Sequence, residues 1–182
     1  MRIITGKARG LKLKTPAGLS TRPTGDRVKE SLFNILNGLV TFADINAVLD
    51  IFAGTGALGL ESISRGAKSA TFIDTTTTDI VRFNATRAKF IGNCTIERGD
   101  FRKILPRLAR RCVFDLIFSD PPYAEDLAQT SLSLVAELNL LTAGGLIVVE
   151  HGAEKLLEPP KNFSLVRQIV YGNTTAVDIF TR

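Results

Sequence analysis

The sequence predicts a doubly wound α/β domain with a mostly parallel, seven-stranded sheet that closes on an antiparallel carboxyl-terminal hairpin. Three observations carry this. Apolar runs of strand length alternate with helical patterns, a glycine-rich loop joins the first such strand to a helix, and the tail abandons the alternation for two strands around Tyr171-Gly172-Asn173. Continuous apolar strands joined by helices imply a sheet covered on both faces. A chain of 182 residues suits one domain with a sizeable core.

Residues 2–14 alternate weakly around Gly6 and Gly10, suggesting a small hairpin with basic flanks. Thr15 to Gly25, carrying Pro16, Gly18, Pro23 and Gly25, reads as loop. From Asp26, the apolar positions Val28, Leu32, Ile35, Leu36 and Leu39 follow helical spacing, with Thr24 or Asp26 as the cap. Ala47 to Phe52 is then a buried strand, followed by the glycine loop and a helix over Leu58 to Arg65. A second strand, Ser69 to Ile73, precedes a helix across Ile80 to Ile91. A short strand near Thr95 to Arg98 leads to a helix over Phe101 to Arg110. Val113 to Phe118 is the fourth strand, Leu127 to Leu138 the next helix, and Leu146 to Val149 the fifth strand. Phe163 to Val170 and Ala176 to Phe180 form the closing hairpin.

Composition narrows the functional classes. Hydrophobic residues make up 45% and charged residues 23%, the balance of an ordinary globular chain. No apolar stretch is long enough to cross a bilayer, and the first ten residues hold no apolar leader, so the expected location is the cytoplasm. Cys94, Cys112 and the lone His151 have no metal-ligand spacing, and no metal site is expected. The net charge of +5 is concentrated at one end. Residues 1–30 carry eight basic side chains against Asp26 and Glu30, a balance of +6, whereas the remainder carries fifteen against sixteen, a balance of −1. Such a segment either grips a polyanion through Lys7, Arg9, Lys12, Lys14, Arg22 and Arg27 or is a solvated arm; charge alone favours neither.

The first strand ends in Asp50-Ile51-Phe52-Ala53-Gly54-Thr55-Gly56-Ala57-Leu58-Gly59. Gly54, Gly56 and Gly59 form G-x-G-x-x-G in the strand–helix context that a nucleotide-type cofactor loop requires. Asp50 stands where a carboxylate accepts amide hydrogens or meets a cationic amine; a pyrophosphate would be repelled there. Phe52, inside the same loop, joins the candidate cofactor contacts. Asp74 ends the second strand, where a carboxylate pairs with ribose hydroxyls. Asp100 follows the third strand and could accept from an adenine amine with Phe101 against the ring, or simply cap the next helix.

The fourth strand runs into Asp120-Pro121-Pro122-Tyr123. Two prolines stiffen this corner and aim the Asp120 carboxylate and the Pro121 carbonyl into the crevice at the sheet's carboxyl edge. An exocyclic nucleobase amine is a poor nucleophile because its lone pair is delocalised. Two fixed acceptors favour a pyramidal nitrogen and stabilise the positive charge that develops as it attacks a methyl group. Tyr123 offers a flat face for the target base.

Taken with Arg22-Pro23-Thr24-Gly25-Asp26-Arg27-Val28-Lys29-Glu30-Ser31-Leu32-Phe33-Asn34, these motifs resemble the RsmD family of bacterial 16S ribosomal RNA guanine-N2 methyltransferases. The resemblance runs from Arg2-Ile3-Ile4-Thr5-Gly6 to Tyr171-Gly172. It implies a Rossmann-like class I methyltransferase fold, S-adenosyl-L-methionine held by Asp50, Gly54, Gly56 and Asp74, and guanine at Asp120 to Tyr123. The implied partner is 16S rRNA, within a 30S subunit or assembly intermediate, and the chain is expected to act as a monomer. The family usually has glutamate where this chain has Asp74, and Thr75-Thr76-Thr77-Thr78 replaces the usual charged opening of the next helix. Residues 1–25 are expected to form the basic arm and 26–182 the catalytic domain. Two other readings stand beside this one: a DNA adenine-N6 or cytosine-N4 methyltransferase, for which the chain has no room for a target-recognition region, and a catalytically silent RNA-binding assembly factor.

Overall fold

Strand β1 (Ala47–Ile51) is an interior strand of the sheet, and its side chains are buried on both faces from Val48 onward. The computed structural model describes residues 1–16, 23–122 and 126–182, and of residues 23–25 the backbone alone. Helix α1 (Pro23–Asn37) precedes β1, and α2 (Ala57–Arg65), β2 (Ser69–Asp74), α3 (Thr78–Arg87), β3 (Cys94–Arg98), α4 (Phe101–Leu108), β4 (Phe114–Ser119), α5 (Leu127–Glu137) and β5 (Leu141–Gly152) follow in alternation. Strands β6 (Ser164–Tyr171) and β7 (Thr175–Thr181) close the chain. The sheet order is β3-β2-β1-β4-β5-β7-β6, parallel through β5 and antiparallel at β5–β7 and β6–β7.

Alternation along each strand sends side chains to two cores. Val48 of β1 and Leu116 and Phe118 of β4 face Leu32, Phe33, Leu36 and Leu60 of α1 and α2. Leu49 and Ile51 of β1 and Ile117 of β4 face Phe101, Leu105, Leu132 and Val135 of α4 and α5. The strand order reverses between β1 and β4, so their carboxyl ends diverge and open a crevice there.

Residues 1–13 pack against this frame. Only Arg2 and Lys12 make a ladder bridge, but Ile3 and Leu13 are buried in the α1–α2 core. Glu61, fully buried on α2, accepts the amides of Ile4 (2.7 Å) and Thr5 (3.0 Å), the Lys29 ammonium (3.3 Å) and Arg65 Nε (2.9 Å). Gly6 passes so close to α2 that a Cβ there would overlap the Ser64 carbonyl, and its φ of 81° is one that glycine adopts freely.

The largest departures from the expected boundaries are in α1, α3 and β5. Helix α1 begins at Pro23, inside the expected loop, because proline without its N–H fits a first helical turn. Helix α3 stops at Arg87 and not Ile91: Lys89 takes φ 62°, which ends the helix, and residues Ile91–Asn93 form a short 3-10 turn. Strand β5 extends well beyond Leu146–Val149 in both directions. Its pairing with β4 shifts register between Phe114 and Leu116, and the extra Ala143, Gly144 and Gly145 are absorbed there as a bulge.

Candidate active site

A cavity of about 950 Å³ opens at the carboxyl ends of β1, β4 and β5. Asp50, Phe52 and Gly54 line one wall, Asp120 and Glu150 another, and Arg27, Lys29 and Thr175 the side toward α1 and β7. Four of the sequence-derived candidates (Asp50, Phe52, Gly54 and Asp120) are thus brought together, with Arg27 at the margin. Pro121 and Pro122 turn away to line a second groove of about 450 Å³ with Asp126, His151, Lys155 and Leu156. Tyr123 and Arg22 lie outside the described residues. Gly56 caps α2 from beneath the loop, and Asp74, Asp100 and Phe101 stand beside the cavity at the ends of β2 and β3.

The loop is built by close packing. Gly59 sits against Phe72, whose ring a Cβ would strike, so α2 can lie on β2 only with glycine at this position. Its amide donates to Asp50 Oδ2 at 2.9 Å. Phe52 turns the chain out of β1 with φ 63°, a conformation unfavourable for a bulky side chain. Its ring is held 4.9 Å from that of Phe101, tilted by 60°, and Phe101 is itself buried, so Phe101 supports the loop by packing on Phe52.

The acids differ sharply in how they are served. Burial pushes the Asp50 carboxyl up to about 7, against the pull of the Gly59 amide and with the Asp74 charge adding to the rise. Asp74 has the opposite balance. Its partial burial pulls upward but is outweighed by the amides of Thr76 (2.8 Å), Thr77 (2.9 Å) and Gly54 (2.9 Å), leaving it below the usual carboxylate range. The threonines that replace a charged helix opening therefore form a turn around Asp74 and tie it to the glycine loop. Asp100 donates nothing to the cavity: its carboxylate accepts the Arg102 amide at 2.9 Å and pairs with the Arg102 side chain at 3.0 Å, the helix-cap arrangement. The Arg102 contact holds it below its ordinary range.

Asp120 faces the crevice water on one side and protein on the others. Desolvation by those walls raises its carboxyl, and the negative charges of Glu150 and Asp50 raise it further. A ligand that covers the open side of Asp120 would desolvate it further. Lys29 lines the α1 side of the cavity but spends its charge on Glu61. Burial pushes its ammonium down, Glu61 holds it up, and it donates to the Arg2 carbonyl at 2.5 Å.

Glu150, Lys29 and Glu61 escaped sequence reasoning. For Glu150 the signal was present, since it follows an apolar strand just as Asp74 follows β2; the expected strand end at Val149 should have drawn attention to it. For Glu61 and Lys29 no local signal exists, because each looks like an ordinary helix-surface charge until the hairpin covers it.

The site suits a nucleoside-sized ligand with a cationic end. The cavity meets a buried carboxylate with a single amide donor at Asp50, and Gly54 and Thr55 bring backbone to its surface. No group of three or more ligating side chains suited to a metal occurs among the described residues.

Sheet order, glycine loop and strand-end acids together define a Rossmann-like methyltransferase fold. The chain belongs to the RsmD family, described as "Conserved hypothetical protein 95", whose family model matches residues 1–179. It is 38% identical to YlbH of Bacillus subtilis (strain 168), over 96% of this chain and 95% of that protein. It is 37% identical to "Ribosomal RNA small subunit methyltransferase D" of Escherichia coli (strain K12), over 94% and 85% respectively. The solved structure of yhhF from Escherichia coli superposes with a TM-score of 0.86 at 37% identity, covering 100% of this chain and 97% of that one.

Proposed function

We propose that this protein transfers a methyl group from S-adenosyl-L-methionine to the exocyclic N2 amine of a guanine in 16S ribosomal RNA. The observation that carries the reading is the opening of Asp120, at the end of β4, into the same cavity as Asp50 and Gly54 of the glycine loop. S-adenosyl-L-methionine, when bound, supplies an activated methyl on a sulfonium. Asp50 would meet its ammonium and Asp74 its ribose, with Gly54 and Gly56 letting the backbone approach closely and Phe52, braced by Phe101, closing one side.

Asp120 accepts a hydrogen bond from the target amine and so turns the nitrogen lone pair toward the methyl. As the N–C bond forms and the methyl's bond to sulfur breaks, its electron pair leaving with a neutral thioether, the amine nitrogen becomes positive, and the ionised carboxylate would stabilise that charge where it develops. A carboxyl raised above its ordinary range is also a better acceptor for the proton the methylated amine then sheds. In this reading Tyr123 would offer its ring to the guanine. Because Asp120 must be ionised, turnover should rise with pH through its elevated pKa and fall on acidification.

RNA would be drawn in by Lys7, Arg9, Lys12 and Lys14 of the docked hairpin, by Arg27 at the margin of the crevice, and by Arg22. The division into a basic unit at 1–25 and a catalytic unit at 26–182 is in this reading a division of labour. The substrate would be the RNA in a 30S subunit or an assembly intermediate in the cytoplasm, met by a monomer; no helix among the described residues is long and apolar enough to cross a membrane. The test is transfer of labelled methyl into 30S subunits lacking the modification, followed by nucleoside analysis. N2-methylguanosine is the expected product, and label in adenosine or cytidine, or none at all, defeats the reading.

A further inference from the structure

Helix α3 makes its core contacts through Val81, Asn84 and Ala85, and helical spacing therefore turns Arg82, Phe83, Thr86 and Arg87 outward. Phe83 is 44% exposed on that outer face, where burial gives no reason for a phenyl ring. Cations surround it. Lys14 Nζ, reaching across from the hairpin, stands 5.0 Å from the ring centroid and the Arg87 guanidinium 5.8 Å. Arg87 also donates to the Lys12 carbonyl at 3.1 Å, bringing Lys12 to the same face. The acid of this groove, Asp79, is already paired with Arg98 at 3.3 Å. Three exposed cations, Lys14, Arg82 and Arg87, thus border one exposed aromatic, and Lys12 follows in the adjoining hairpin.

This face is bracketed to the catalytic cavity. Asn84, buried beneath Phe83, accepts the Lys14 amide at 2.8 Å and donates to the carbonyls of Lys14 (3.0 Å) and Thr55 (2.9 Å). Thr55 lines the cavity. The hairpin, α3 and the glycine loop therefore hold the patch at a set position beside the crevice.

We propose that Phe83 is a stacking platform for an unpaired nucleotide of the RNA, with Lys12, Lys14, Arg82 and Arg87 engaging the flanking phosphates. The proposal rests on the RNA-methyltransfer reading and adds to it a contact outside the crevice. A nucleobase has a flat π-face for the ring and a phosphate on either side for the cations, so it uses every feature of the patch. An acidic peptide would use the cations and leave the ring idle. Lys14 and Arg87 over an exposed ring gain little there, and a phosphate can draw them off its face.

The chain contains no tryptophan, so Phe83→Trp introduces a single fluorophore at the platform. Titration of this variant with short oligoadenylate should quench its emission, and equally charged duplex RNA should not. Phe83→Ala should bind oligoadenylate about tenfold more weakly or worse, with S-adenosyl-L-methionine affinity and Tm unchanged. Oligoadenylate binding without quenching, wild-type affinity in Phe83→Ala, or equal quenching by polyglutamate overturns the platform. Methyl transfer by the wild type, assayed in parallel on 30S subunits, separates the two failures: transfer without quenching removes the platform alone, and no transfer removes the underlying reading.

Discussion

Two buried carboxylates, Glu61 beneath the hairpin and Asp50 beneath the glycine loop, show how the same chemical group is saturated with partners in one region and left open to a cavity in another. Glu61 is fully buried and meets four donors, two of them cations. Asp50 is 1% exposed and, among the described residues, meets the Gly59 amide alone. A saturated acid holds two chain segments together. An acid left with open lone pairs at a cavity, its carboxyl raised to about 7, is held ready for a cation that the fold itself does not supply. Asp120 belongs to the second kind, with no hydrogen-bond donor among the described residues and two neighbouring negative charges.

The contrast is broken most severely at Glu61. Glu61→Ala leaves Lys29 and Arg65 without their shared acid and the Ile4 and Thr5 amides without acceptors, and should cost about 3–5 kcal/mol of stability. Chemical denaturation reads the loss, and hydrogen exchange should accelerate at Ile4 and Thr5 before the sheet. If stability holds, Glu61 is not the tie between hairpin and α2. At Asp120 the expectation reverses: Asp120→Ala should leave Tm intact or raised, because a repelled carboxylate is removed, while kcat falls by about 10²–10³. Calorimetry should show S-adenosyl-L-methionine affinity unchanged, and near-normal turnover would falsify the role given to Asp120.

Asp74 lies between the two kinds, since its carboxylate is well served by amides yet is, in the proposed reading, the partner of the ribose. Asp74→Ala should weaken S-adenosyl-L-methionine and S-adenosylhomocysteine equally, by about 1.5–3 kcal/mol, and Asp74→Glu should recover most of it. Selective weakening of one ligand would place the effect outside the ribose. The smallest effect belongs to pH. Asp50 ionises near 3.8 when unfolded and near 7 when folded, so its contribution to stability is fully present below about 4 and is lost as pH rises to about 7. Thermal unfolding of Asp50→Asn across that range should be flatter than wild type. A cationic ligand at Asp50 should release a proton on binding, so affinity for S-adenosyl-L-methionine should increase toward pH 7; an affinity independent of pH would mean that the ammonium is held elsewhere.

Much of this was readable along the chain. Strand and helix periods, the G-x-G-x-x-G spacing and the acid following each apolar run depend on near neighbours. Those local patterns identified Asp50, Gly54, Phe52 and Asp120 as members of one site. Other assignments needed distances between remote residues. Whether Asp100 faced a ligand or capped α4 turned on Arg102 competing for its carboxylate, and both outcomes have the same sequence signature. Pro121 and Pro122 were expected beside Asp120, but the rigid corner that aims the aspartate inward carries the prolines to the neighbouring groove. Phe83, a lone apolar residue on a polar helix face, acquired meaning only when the hairpin laid Lys14 over its ring. Covalent order determines which groups share an element and a strand end. Which buried charge finds partners, and which is left open for a ligand, is decided by segments tens of residues apart meeting in space, and that only the tertiary structure could settle.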